Sequence, residues 1–323
     1  MSTATEARHV DVTTFVRAET DSYMARRVAM GAMGQFVHGR ETVRVDKQDV
    51  IRMNRDTLIS VAIFDLRQPV TMRMPETGGR FQSMQAISQD HYVVGLEHEA
   101  GEYSFSEGTV GSRYLAVIVR TFVDPNDPGD LAAAHAAQDA IAVTQADPGC
   151  FEVPNWNAEA LAQTRKLLLG LAMGYRGAIT RAFGDRDEVD PIRHLVATAA
   201  GWGGNPERAA IYFERRVAQN DGTVPHVLTL RDVPVDGFWS VTVYNERGFM
   251  EPNPADVCSV NNVTAARNAD GSVTVQFGGC AGDHANCIPT PANWSYNIRL
   301  YRPRAEVLDG SWRCPEAQPL RAT

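Results

Sequence analysis

Long hydrophobic runs, an excess of positive charge and the common catalytic signatures are all missing from this sequence. No stretch of about 18 apolar residues occurs, so nothing in it reads as a membrane-spanning helix. The formal net charge of -8 argues against the clustered cationic surface that nucleic acids and anionic membranes require, so neither is expected as a partner. There is no G-x-S-x-G elbow, no H-E-x-x-H helix and no Walker loop, and no cofactor or metal is expected. The start, MSTATEARHVDVTTF, lacks a cationic segment followed by an apolar one, which is the mark of a secretory signal. As written, the chain is expected in the cytoplasm; with a signal removed, it would be periplasmic or secreted. A β-α-β rhythm and internal repeats are also missing, which disfavours a doubly wound nucleotide fold.

What is present suits a folded protein: 323 residues, 44% hydrophobic and 22% charged, enough for two domains with filled cores. Four of the five cysteines, Cys258, Cys280, Cys287 and Cys314, fall in the last quarter. Cys280 and Cys287 bracket a Gly- and Asn-containing loop that a disulfide would close. Two alternatives are free thiols and a zinc site built from Cys280, His284 and Cys287 with Cys258 or Cys314, although the spacing matches no common zinc module.

Residues 13–34 carry Phe15, Tyr23, Met30 and Met33 at roughly helical spacing, with Thr13 or Thr14 as cap and Gly34 as stop. Strand-like runs follow at 58–64, 70–74, 81–85, 102–106 and 113–122. An alanine-rich helix begins near 131. A longer one is expected over about 158–183, its buried stripe marked by Leu161, Leu168, Leu171, Tyr175 and Ile179. Asp190 before Pro191 caps another through Ala200. From Tyr212 onward, turns at Asn220-Asp221-Gly222, Arg247-Gly248 and 268–271 divide alternating strands.

Three polar groupings carry candidate chemistry. In MNRDTL, Arg55 is suited to clamp a substrate carboxylate through its planar fork, with Asp56 or Asn54 orienting a hydroxyl. The bland reading is a polar knot at the start of a strand. In SQDHY, His91 lies between Asp90 and Tyr92, a plausible acid/base unit, because imidazole titrates near neutrality and needs an orienting partner. Adjacent strand residues point to opposite faces, so only a turn would let Asp90 serve His91; Asp56 is the other candidate. Arg80, Arg113 and Arg120 lie on or beside strands, where an inward charge needs a partner such as Asp56 or Asp65. In GWGGNP, Trp202 and Asn205 either line a ligand site or belong to a tight helix exit. Trp239 and Tyr244 are expected to pack a core.

The blocks MNRDTLISVAIFDL, QDHYVV, RAFGDRDEVDP, GWGGNP, DGFWSVTVYNERGFMEPNP, NADGSVTVQFGGC, NCIPTP and YRPRAEVLDGSW together resemble bacterial proteins that join two domains of unknown function, numbered 1254 and 1214, in tandem. The resemblance implies an α+β, mainly antiparallel fold. Its expected parts are an N-terminal helix and β-barrel-like domain (1–145), a helical connecting segment (146–205) and a C-terminal jelly-roll-like β-sandwich domain (206–323). It also implies assembly as a homo-oligomer. In relatives the position of Ile59 is often tyrosine, which counts against a shared mechanism through that phenol.

Two function classes follow. One is an enzyme acting on a small polar or carboxylated molecule by hydrolysis, elimination or isomerisation. His91 would be its general acid/base, Asp90 or Asp56 the orienter, Arg55 or Arg80 the anion clamp, with Asn54, Tyr92 and Trp202 lining the site. The alternative is a non-catalytic ligand-binding or assembly protein that uses the jelly-roll-like domain.

Overall fold

The computed structural model describes residues 7–48, 51–175, 180–280 and 285–320. By contact, the chain divides into two units. The first comprises Met1–Arg40, Leu58–Phe122 and Ala132–Pro206; the second comprises Glu41–Thr57, Val123–Leu131 and Glu207–Thr323.

The first unit holds α1 (Phe15–Ala29), β1 (Val37–His38), β2 (Thr57–Asp65), β3 (Val70–Met74), β4 (Gln82–Ser88), β5 (Val93–Glu97) and β6 (Gly101–Phe105). It continues with α2 (Glu107–Val110), β7 (Tyr114–Phe122), most of α3 (Pro128–Asp139, whose residues up to Leu131 count with the second unit), β8 (Ala142–Gln145), α4 (Ala158–Ala172) and α5 (Pro191–Ala200). Its sheets are open, with strand orders β1-β2-β7-β4-β5 and β6-β3-β8. The expected barrel is therefore corrected to two sheets that do not close. One face of the larger sheet, with Phe64, Met84 and Val117, packs on Met72 and Val70 of the smaller. The other face, with Ile63, Ile87 and Ala116, packs on Met24 of α1 and on Trp202. Burial on both faces is why β4 has no exposed position and why its sequence does not alternate cleanly.

Helices α1, α4 and α5 share a core of Phe15, Ala18, Leu161, Leu168 and Val196. Helix α1 starts at Phe15 with Thr14 in the N-cap position but without a side-chain cap bond; the Asp11 carboxylate holds the preceding turn, accepting from the backbone N–H of Thr13 at 2.9 Å and of Thr14 at 3.1 Å. It ends at Ala29, ahead of Gly31, instead of reaching Gly34. Helix α4 stops at Ala172, short of the expected 183; Leu171 is exposed, and Gly170 and Gly174 weaken the helix at that end. Tyr175 packs against the helical core, whereas Ile179 lies outside the described residues.

The second unit holds β9 (Ala210–Arg215), β10 (His226–Leu230), β11 (Trp239–Tyr244), β12 (Ser259–Asn261), β13 (Val273–Phe277), β14 (Cys287–Ile288), β15 (Ser295–Tyr301), α6 (Ala305–Leu308) and β16 (Gln318–Pro319). Two four-stranded sheets, β14-β13-β10-β16 and β12-β11-β15-β9, form the jelly-roll-like sandwich. Alternation decides its interior: Trp239, Val241 and Val243 of β11 and Tyr296, Ile298 and Leu300 of β15 face Leu228, Val275 and Phe277 of the other sheet. The outward positions Ser240, Thr242, Tyr244 and Arg299 are also buried.

Candidate functional site

Of MNRDTL, Met53 to Thr57 belong by contact to the second unit, and Leu58 opens the next stretch of the first. The Ser240 hydroxyl donates to Asp56 at 2.7 Å. Burial pushes the Asp56 carboxyl above its usual range, opposed by Arg299 and by that hydroxyl. Arg299, 2% exposed, donates to Thr242 Oγ1 at 2.8 Å, to the Arg52 carbonyl at 2.8 Å and to the Tyr244 hydroxyl. The Tyr244 hydroxyl in turn donates to the Met53 carbonyl at 2.6 Å. Tyr244 therefore ties residues 52–56 to the outer sheet face. Arg55 pairs with Asp256 at 3.0 Å, and Asn54 accepts the Asp56 N–H at 3.1 Å while its amide donates to Tyr301 at 3.4 Å. These groups anchor a strand start, and Asp56 belongs to the second unit whereas His91 belongs to the first.

His91 sits in the first unit, 1% exposed, with φ +64. Gly203 N–H donates to its Nε2 at 2.8 Å, which assigns the proton to Nδ1; that N–H then faces Thr198 Oγ1 at 2.8 Å. Thr198 passes its own proton to the His194 carbonyl at 2.8 Å. Burial, and then the field of His194, hold His91 well below its usual range. Both ring nitrogens are occupied and neutral imidazole is favoured. Asp90 does not serve it. The left-handed turn sends the Asp90 carboxylate to Arg17, which it meets at 2.6 Å. Tyr92 stacks on His194.

Trp202 stacks on Tyr23 with ring centroids 3.7 Å apart and donates its indole N–H to Thr20 at 2.9 Å; it is a packing residue behind His91. Arg80 donates to the Phe122 carbonyl at 2.8 Å. Arg120 reaches Gln85 and the Gly203 carbonyl. Cys280 and Cys287 form a disulfide with Cα atoms 5.7 Å apart, which removes both as thiolate ligands; His284 lies outside the described residues. Among the described residues, no three His, Cys, Asp or Glu side chains converge as a metal site, and no helix is long and apolar enough to cross a membrane.

The feature that concentrates polar chemistry is a cleft of about 470 Å³ in the first unit. One stripe of α1 and its leading turn, Thr13, Arg17 and Asp21, lines it at four-residue intervals, the helix repeat that puts side chains on one face. Gln89 and Asp90 from the β4–β5 turn, Arg113 and Tyr114 at the start of β7, and the segment 152–156 complete the wall. Asp21 is 1% exposed. Gln89 Nε2 donates to its Oδ1 at 2.8 Å and Trp156 Nε1 to its Oδ2 at 2.9 Å. Gln89 is held in turn by accepting the Tyr114 N–H at 3.2 Å. Burial pushes the Asp21 carboxyl above its usual range, with Asp90 adding to the push and Trp156, Gln89 and Arg17 opposing it.

The cations of the cleft are unequal. Arg17 is committed to Asp90 and Arg113 to Asp65 and Glu152. Arg8 is exposed, with its guanidinium 4.8 Å from the centre of the Trp156 ring, and has no ion-pair partner among the described residues. A single indole thus carries an uncompensated cation on its face and a buried carboxylate at its N–H edge. Sequence reasoning selected Asp90 from this wall but missed Arg8, Arg17, Asp21 and Trp156. The available signal was the polar stripe of Thr13, Arg17 and Asp21 on a helix otherwise read for its apolar side. A smaller cavity of about 150 Å³ in the second unit contains Cys258 and Glu251, but that carboxylate already accepts from Asn245 at 2.9 Å.

No curated protein matches the chain. The VPA0106 protein of Vibrio parahaemolyticus is similar in structure, with a TM-score of 0.71 at 15% identity over 96% of this chain and 98% of that one. A putative uncharacterized protein from Burkholderia cenocepacia aligns with a TM-score of 0.55 at 18% identity, over 96% of this chain and 87% of that one. At these identities the likeness concerns the fold alone. The family models "Protein of unknown function (DUF1254)" and "Protein of unknown function (DUF1214)" match residues 33–145 and 209–305. With both models matched in this order, the chain belongs to the tandem DUF1254–DUF1214 family.

Proposed function

We propose that the first unit binds a small carboxylated organic molecule in the cleft between α1, the β4–β5 turn and segment 152–156. The observation that carries this reading is the exposed Arg8 guanidinium, without an ion-pair partner among the described residues, held over Trp156 at the rim of a cleft whose other arginines are already paired. A planar guanidinium pre-positioned on an aromatic face suits a carboxylate, which it can engage through two parallel hydrogen bonds.

A thermal-shift comparison tests it. Short carboxylic acids and their neutral amides are screened against wild type and Arg8→Gln, since a ligand at a hundredfold excess over Kd stabilises the folded state by about 2.7 kcal/mol. The expected result is stabilisation by acids but not amides, lost in the variant. Equal responses to acids and amides, or an unchanged response in Arg8→Gln, would remove the reading.

A second reading, acid–base catalysis on the bound molecule, is favoured by the raised Asp21 carboxyl at the cleft wall. A carboxyl shifted upward is suited to proton exchange nearer neutrality, whereas both ring nitrogens of His91 are occupied. Asp21 would then be the group whose titration appears in a rate profile.

A further inference from the structure

The cleft leaves two groups of opposite charge without ion-pair partners among the described residues, Arg8 and Asp21, on two sides of the same tryptophan. Each Asp21 oxygen receives one N–H, and a carboxylate has about four acceptor positions, so each oxygen retains capacity for a further donor. Arg17, one helical turn away, is turned from Asp21 by its bond to Asp90. Trp156 has spent its single donor and Gln89 one of its two amide hydrogens on Asp21, and Gln89 is itself fixed by the Tyr114 N–H. A burial cost at Asp21 that the protein's own side chains relieve only in part is lowered by a ligand that brings a donor.

We propose that the cleft selects small organic acids with a hydroxyl or amino group next to the carboxylate, the carboxylate facing Arg8 and the adjacent donor giving its hydrogen to Asp21. This rests on the ligand-binding reading above and narrows it to a substrate class. A plain alkanoate satisfies Arg8 and leaves Asp21 as it was. A hydroxy or amino acid satisfies both. Asp21 is then a specificity-determining residue: it adds little to the affinity for carboxylates in general and much to the discrimination between them.

The test uses three acids of the same carbon skeleton, propionate, lactate and alanine, titrated calorimetrically into the full-length protein and into Asp21→Asn. In wild type, lactate or alanine is expected to bind at least tenfold more tightly than propionate, and in Asp21→Asn the three affinities converge. The comparison of lactate with alanine identifies which donor the site takes. The Asp21 carboxyl carbon resonance in labelled wild-type protein supplies a readout that does not depend on the variant folding; it is expected to move with the preferred acid and not with propionate. Equal affinity for all three acids in wild type, or a preference that survives in Asp21→Asn, overturns the inference while leaving carboxylate binding intact. Absence of binding by all three, together with an unmoved Asp21 resonance, overturns the ligand-binding reading and this inference with it.

Discussion

Trp156 gives its indole N–H to Asp21 at 2.9 Å across 135 positions of sequence, joining the segment that leads into α4 to the middle of α1. Trp156→Phe keeps an aromatic ring, smaller than the indole, and removes the donor. A hydrogen bond to a charged group contributes about 1.5–3 kcal/mol, and a loss of that order is expected in urea unfolding. The Asp21 carboxyl should titrate higher in the variant, because burial remains while one of the bonds opposing it is gone; carbon-detected titration checks the direction.

His91 gives a pH-dependent prediction. Its folded pKa is depressed below the usual 6.5, so the unfolded chain takes up the proton first as pH falls. The stabilisation is complete above about pH 6.5 and is lost as pH falls from there towards the folded value. His91→Asn removes this titration along with the bonds to Gly203 and Thr198. Wild type should be the more stable by about 1–3 kcal/mol at pH 7.5, with the difference narrowing between pH 6.5 and 5. A constant difference across that range would contradict the buried neutral imidazole.

How much of this was legible in the sequence depends on the range of the contact. Strand positions such as 58–64 and 70–74 were readable because alternation and turn residues are local. The SQDHY block was readable as polar, but its left-handed residue at His91 was not, and that single backbone angle sends Asp90 to Arg17 and His91 into the core. The barrel-like closure was implied by the family resemblance and by no local pattern; in the structure one face of the larger sheet is covered by the smaller sheet and the other by α1 and Trp202. Asp21 and Trp156 are too far apart in sequence for any local pattern to pair them.

In the second unit, the MNRDTL segment is predicted to act through Arg299. Replacing Arg299 with Met removes the charged donor of the Arg52 carbonyl and the Thr242 hydroxyl and the cation whose field opposes the raised Asp56 carboxyl, and should destabilise by about 3 kcal/mol or more, from two such bonds at about 1.5–3 kcal/mol each. Arg55→Met breaks a pair whose Asp256 side chain is 66% exposed and should cost about 1 kcal/mol or less. Guanidinium unfolding of both variants separates the two, and equal losses would contradict the assignment of Arg299 as the anchor.

Asp65 offers an acid-side counterpart to His91. Burial pushes its carboxyl up, but hydrogen bonds from Arg113 and Arg67 prevail and bring it to about 2. Its contribution is present above the usual carboxylate value of 3.8 and is lost as pH falls through about 2. Asp65→Asn is therefore expected to lower stability at neutral pH by about 2 kcal/mol and to flatten the acid limb of the stability profile.

Binding of a small organic acid in the cleft beside Trp156 is read from the indole N–H resonances of the five tryptophans. Trp156→Phe assigns the Trp156 signal by its disappearance, and lactate, alanine and propionate are then titrated into nitrogen-15-labelled wild type. A saturable shift of the Trp156 signal with at least one acid is expected, while those of Trp239 and Trp294 in the second unit stay in place. A Trp156 signal that does not move with any of the acids, or movement confined to Trp239 and Trp294, would contradict binding in this cleft.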